Sequence, residues 1–156
     1  MNIYLVQHGK PLPEEIDPER PLSDQGRLDV ERLGDFLQRG GIHIARIFHS
    51  GKTRARQTAE ILSSKLDPEA GPEEREGLAP MADASVIAQE IGKLQEDTMI
   101  VGHLPHLAKL CSILVTGSES KGIVTFQQGG VVCLRGDPPS KEWKIRWMVV
   151  PEILSP

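Results

Sequence analysis

The chain has 156 residues, a formal net charge of -4 and a pI near 5.7. Its apolar fraction of 38% and charged fraction of 26% fit a globular chain long enough to bury a core without staples. The acidic balance argues against a nucleic-acid or anionic-membrane surface, which needs clustered excess base, and no run approaches the roughly 18 apolar residues that span a bilayer.

Ile3-Tyr4-Leu5-Val6 is a short run of β-formers closed by Gly9 and Pro11, the pattern of a buried strand. It reaches His8 too soon to be a secretory signal, so the cytoplasm is the expected compartment. Residues 10–22 carry four prolines and six charges and form a loop long enough to be functional. Ser23 or Asp24 then caps a helix whose apolar positions include Val30, Leu33 and Leu37, and Gly40-Gly41 stop it.

A second strand is expected over Ile42–Phe48 and a second helix over 52–66, ended before Pro68. The stretch 67–82 is irregular, with room for one short strand. A third helix follows over Ala84–Leu94, a strand over Thr98–Val101 ending at Gly102-His103, and a fourth helix over Leu107–Val115. Three strands finish the chain, at Ile123–Phe126, Val131–Leu134 and Trp143–Val150. Trp143 and Trp147, four residues apart on one strand, should share a face.

This order predicts one α/β domain over 1–156, a three-layer α/β/α sandwich with a mostly parallel sheet and some antiparallel pairing near the end. Cys111 and Cys133 lie apart with no CxxC spacing and are expected to be buried, reduced thiols. Ligands of such sheets sit beyond the carboxyl ends of the strands. Two strands end alike, at Gln7-His8-Gly9 and Gly102-His103, so both imidazoles should face one crevice. Of the other histidines, His43, His49 and His106 fit structural roles. With no HxH, HExxH or Cys/His spacing, no metal is expected, and nothing calls for a cofactor.

Three short motifs stand in order: the strand-end His8-Gly9, the helix-start SGKTRARQT from Ser50 to Thr58, and the strand-end Gly102-His103-Leu104-Pro105. With the Arg20–Gly26 segment RPLSDQG, they resemble the histidine phosphatase superfamily, of phosphoglycerate-mutase-like fold. The short length without cap insertions is similar to its SixA-type phosphohistidine phosphatases. The resemblance runs through the fourth helix.

It implies that His8 is the nucleophile, forming a phosphohistidine while its other ring nitrogen donates to a backbone carbonyl near Gly9. Gly9 would let the backbone approach the phosphate in a conformation other residues resist. Arg54 would bind two phosphoryl oxygens through its fork, and His103, as an imidazolium, would add a donor and a charge. Arg56, two residues from Arg54, points elsewhere on the helix and reads as solvated. Arg20 either enters the pocket or anchors its loop by a salt bridge.

The chain departs from the family at Gln7, where the pattern has arginine, and at Gly51, where proline commonly follows the serine. Gln7 keeps two donors but no charge, which implies weakened stabilisation. Gly51 is expected to loosen the helix start. No general acid stands out: Glu14, Glu15, Asp17, Glu76 and Asp83 all read as solvated loop charges. The expected substrate is a protein carrying phosphohistidine. The alternatives are a small phosphoester, or phosphate binding without turnover because of Gln7. Neither nucleic acid nor membrane is an expected partner.

Overall fold

A computed structural model describes residues 1–155. Six strands form one sheet: β1 (Asn2–Gln7), β2 (Arg46–His49), β3 (Glu73–Glu74), β4 (Thr98–Gly102), β5 (Val131–Gly136) and β6 (Trp143–Val149). Their spatial order is β3-β2-β4-β1-β5-β6. The first four are parallel, with β1 against β4, β4 against β2 and β2 against β3, while β5 runs antiparallel to β1 and to β6.

The layers follow from the two-residue period of the strands. In β1, Tyr4 and Val6 face a core shared with α1 (Asp24–Arg39) and α2 (Thr53–Leu66), whose Val30, Leu33, Ala59 and Leu62 are fully buried. Ile3 and Leu5 face the opposite core, shared with α3 (Ala84–Ile91) and α4 (His106–Thr116) through Ile87, Leu107 and Leu110. The result is the expected α/β/α sandwich. Both cysteines are buried and free.

The helix signals hold in detail. Ser23 caps α1, its hydroxyl accepting from the Gly26 N–H at 3.0 Å. Asp67, in a left-handed conformation, ends α2 ahead of Pro68. The third helix stops at Ile91, short of the expected Leu94, because Gly92 and the turn after it take over the last carbonyls. The second strand starts at Arg46 rather than Ile42: the Ile42 N–H still closes the end of α1 on the Leu37 carbonyl, and pairing begins only where Ala45 meets Asp97.

Two expectations fail. Residues 123–126 form no strand; Phe126 is buried and Val124 half-buried against the α3/α4 core, so their apolar character serves loop packing rather than a ladder. Trp143 and Trp147 do not share a face. Cys133 pairs with Trp147 but Leu134 pairs with Ile145, so Arg146 is an extra residue that reverses the alternation. Trp143 therefore enters the α3/α4 core, while Trp147 packs on the opposite side, its ring 5.9 Å from that of Tyr4.

Candidate active site

Because β1 to β4 are parallel, their carboxyl ends open on one edge, and the loops after them carry His8, Ser50 and His103. The His8 backbone is held between two neighbours, its N–H donating to Gly102 and its carbonyl accepting from Gly129 at 3.2 Å. The rings of His8 and His103 meet with centroids 5.0 Å apart, tilted by 49°. Both are nearly fully buried.

His8 Nδ1 bonds the Gly9 carbonyl at 2.7 Å. Burial, and then the positive charges of Arg54 and Arg20, outweigh this bond and push its pKa down to about 4. His103 Nε2 meets the Ser50 hydroxyl at 2.6 Å, while its Nδ1 is buried without a partner. Burial is again the main cause of its lowered pKa, followed by His8, Arg54, Lys52 and His106, which together bring it to about 3. The protein's own groups therefore disfavour the expected imidazolium at His103. A phosphoryl dianion would oppose that tendency.

Arg54, at the start of α2, has a buried Nε with no protein partner, and its charge bears on both imidazoles. Arg20 stands close enough to lower the pKa of both His8 and Arg54. Its backbone takes the left-handed region, φ 47°, and its Nε donates to the Leu12 carbonyl at 3.3 Å. Arg20 is thus anchored by a carbonyl, with no salt bridge among the described residues. Gln7 is buried with its Oε1 unpaired. Arg56 lies outside the cluster, paired with Glu60 on the exposed face of α2.

Gly9 is needed for a different reason than expected. Its φ is not positive; a Cβ there would come within 2.8 Å of Val30 Cγ2 and 3.0 Å of the Gly26 carbonyl. The first turn of α1 presses against it. Gly51 does not loosen the helix start either. It takes φ 89°, closed to proline, and donates its N–H to His49 Nδ1.

Three residues of the SGKTRARQT segment acquire places that sequence reasoning did not give them. Thr58 accepts from the Gly9 N–H at 3.0 Å and donates to the Arg54 carbonyl at 2.8 Å, tying the His8 loop to the Arg54 turn. Gln57 accepts from the Leu22 N–H at 2.8 Å and so pins the far end of the proline-rich loop. Ser50 bonds His103. The motif shows these residues, but only the fold shows what each one touches.

Two histidines on the edge of a sandwich, beside two guanidinium groups, make a compact cluster with the chemistry to receive an oxyanion, in a phosphoglycerate-mutase-like fold. Residues 3–82 match the model of the histidine phosphatase superfamily (branch 1), and the chain belongs to that superfamily. It is 28% identical over 143 residues to an uncharacterized protein of Picosynechococcus sp., across 86% of this chain and 85% of that one. It is 25% identical over 122 residues to phosphohistidine phosphatase SixA of Escherichia coli, across 75% and 76% of the two chains. A solved structure of the protein histidine phosphatase SixA complexed with tungstate superposes with a TM-score of 0.89 at 20% identity, over 99% of this chain and all of that one, a likeness of fold. The family of the chain is thus the histidine phosphatase superfamily, and its fold is like that of SixA.

Proposed function

We propose that the protein hydrolyses phosphohistidine carried on another protein, such as a phosphotransfer domain, through a phosphoryl group held covalently on His8. The observation that carries this reading is the bond from His8 Nδ1 to the Gly9 carbonyl. A carbonyl only accepts, so Nδ1 holds the ring proton and Nε2 keeps its lone pair. With a pKa near 4 the ring is neutral at pH 7 and needs no separate base.

The Nε2 lone pair attacks phosphorus in line. A P–N bond forms on His8 as the P–N bond to the substrate imidazole breaks, and that ring leaves with a proton taken from solvent. Water then attacks phosphorus, the bond to His8 breaks with return of the lone pair, and inorganic phosphate departs as a proton is released. Arg54 binds two phosphoryl oxygens through its fork, and His103 and Gly9 line the same group. Arg20 supplies charge that Gln7 lacks, consistent with its effect on His8 and Arg54.

Two observations favour a protein-borne phosphoramidate. An imidazole leaving group does not depend on a carboxylic acid, and two candidate acids are otherwise engaged: Asp83 caps α3, and Asp17 accepts from the Glu19 N–H. The connections at the carboxyl edge, residues 8–23 and 75–83, carry no inserted helix that would enclose a small ligand. The names of the SixA relatives point the same way.

Rapid quench in alkaline detergent after mixing with a radiolabelled phosphohistidine protein, with the two chains then separated, tests the proposal. Acid-labile label should collect on the protein and vanish in His8→Ala. Faster turnover of small phosphoesters would overturn the substrate class. Vanadate binding without label or turnover would overturn catalysis and leave a phosphate-binding module.

A further inference from the structure

The His103 ring makes one hydrogen bond among the described residues, from Nε2 to the Ser50 hydroxyl at 2.6 Å. Its other nitrogen is buried and unpaired, so among the described residues no second hydrogen bond fixes the rotation of the ring about its Cβ–Cγ bond. The hydroxyl is itself fixed: Ser50 Oγ accepts from the Lys52 N–H at 3.3 Å, just before α2, whose first turn carries Arg54. Ser50 thus links two sides of the oxyanion site, the helix start and the end of β4. Next to it, Gly51 turns the chain through a left-handed conformation, which aims the Ser50 side chain and the Lys52 amide at one another.

The structure assigns Ser50 as the positioning residue of His103: its hydroxyl sets the orientation of the imidazole against a bound oxyanion. This rests on the proposed placement of His103 against the phosphoryl group. A hydroxyl can either donate to Nε2 or accept from it, so Ser50 holds the ring in place whichever nitrogen carries the proton. His8, Arg54, Lys52 and His106 are the titratable groups facing the ring, and all act to keep it neutral.

The test is a double-mutant cycle read by vanadate affinity, which requires no turnover. Ser50→Ala should weaken vanadate binding by about tenfold, the scale of one lost charge-assisted hydrogen bond. Ser50→Thr, which keeps the hydroxyl, should stay within about threefold of the parent. In a His103→Gln background, Ser50→Ala should have almost no further effect, because the residue through which it acts is gone. Equal losses in both backgrounds would overturn the inference and make Ser50 an independent contact. If Ser50→Ala does not fold, nitrogen NMR of the unmodified protein decides: His103 Nε2 should show the shift of a hydrogen-bonded nitrogen, and a shift free of hydrogen bonding would overturn the assignment. A closed cycle with no label on His8 would sink the phosphatase proposal while leaving the role of Ser50 standing.

Discussion

Thr58 has no access to solvent, yet its hydroxyl is fully used, accepting from Gly9 and donating to the Arg54 carbonyl. It sits on the residue whose carbonyl holds the His8 ring proton, so its effect on His8 is exerted through one peptide unit. Thr58→Val keeps the volume and removes the acceptor, leaving a buried N–H without a partner at a cost of about 1–3 kcal/mol. Thermal unfolding should show a lower Tm, and turnover should fall together with it because Gly9 is released. An unchanged Tm and unchanged kcat would mean that the Gly9 backbone is held by its packing on Val30 alone. Arg20 illustrates the same economy of position: a left-handed backbone and a bond to Leu12 bring its charge to the site without a carboxylate partner.

At the scale of elements, the loop after β1 depends on the first turn of α1. A Cβ on Gly26 would lie 2.1 Å from the Lys10 carbonyl oxygen, a backbone atom that cannot turn aside. The loop is closed there by the Ser23 N–H and hydroxyl, both donating to that same carbonyl, and by the Leu12 N–H on the Pro21 carbonyl. Gly26→Ala should therefore push the loop off the helix, costing on the order of 1–3 kcal/mol as overpacking does. Because the loop carries Arg20, vanadate affinity should drop with stability. Denaturant unfolding and vanadate titration check both, and full retention of affinity would separate Arg20 from the site. The bulge at Arg146 acts at the same scale, since a single inserted residue sends two tryptophans of one strand into different cores.

For the whole molecule, the edge that gathers the site also sets its response to pH. His8 and His103 have pKa values lowered from 6.5 to about 4 and about 3, and those of His49 and His106 are also lowered, all chiefly by burial. Between these values and 6.5 the unfolded chain binds protons that the folded chain refuses, so stability rises with pH across that window. The histidine contribution should be complete above pH 6.5 and should be lost as pH falls through 4 towards 3. Urea unfolding followed from pH 7.5 to 4 checks this; a midpoint that does not fall on acidification would refute the buried neutral histidines. Sequence by itself determined the layered fold, the start of the first helix at Ser23 or Asp24, the end of the second before Pro68, and the likeness carried by His8, Arg54 and His103, because periodicity, turn chemistry and motif order are local properties of the chain. Only tertiary structure decided why Gly9 and Gly26 must lack side chains, which face Trp147 takes, what lowers the pKa of His103, and what Ser50 and Thr58 hold. Each of these is set by atoms that are distant along the chain and close in space, where sterics, desolvation and hydrogen bonding act.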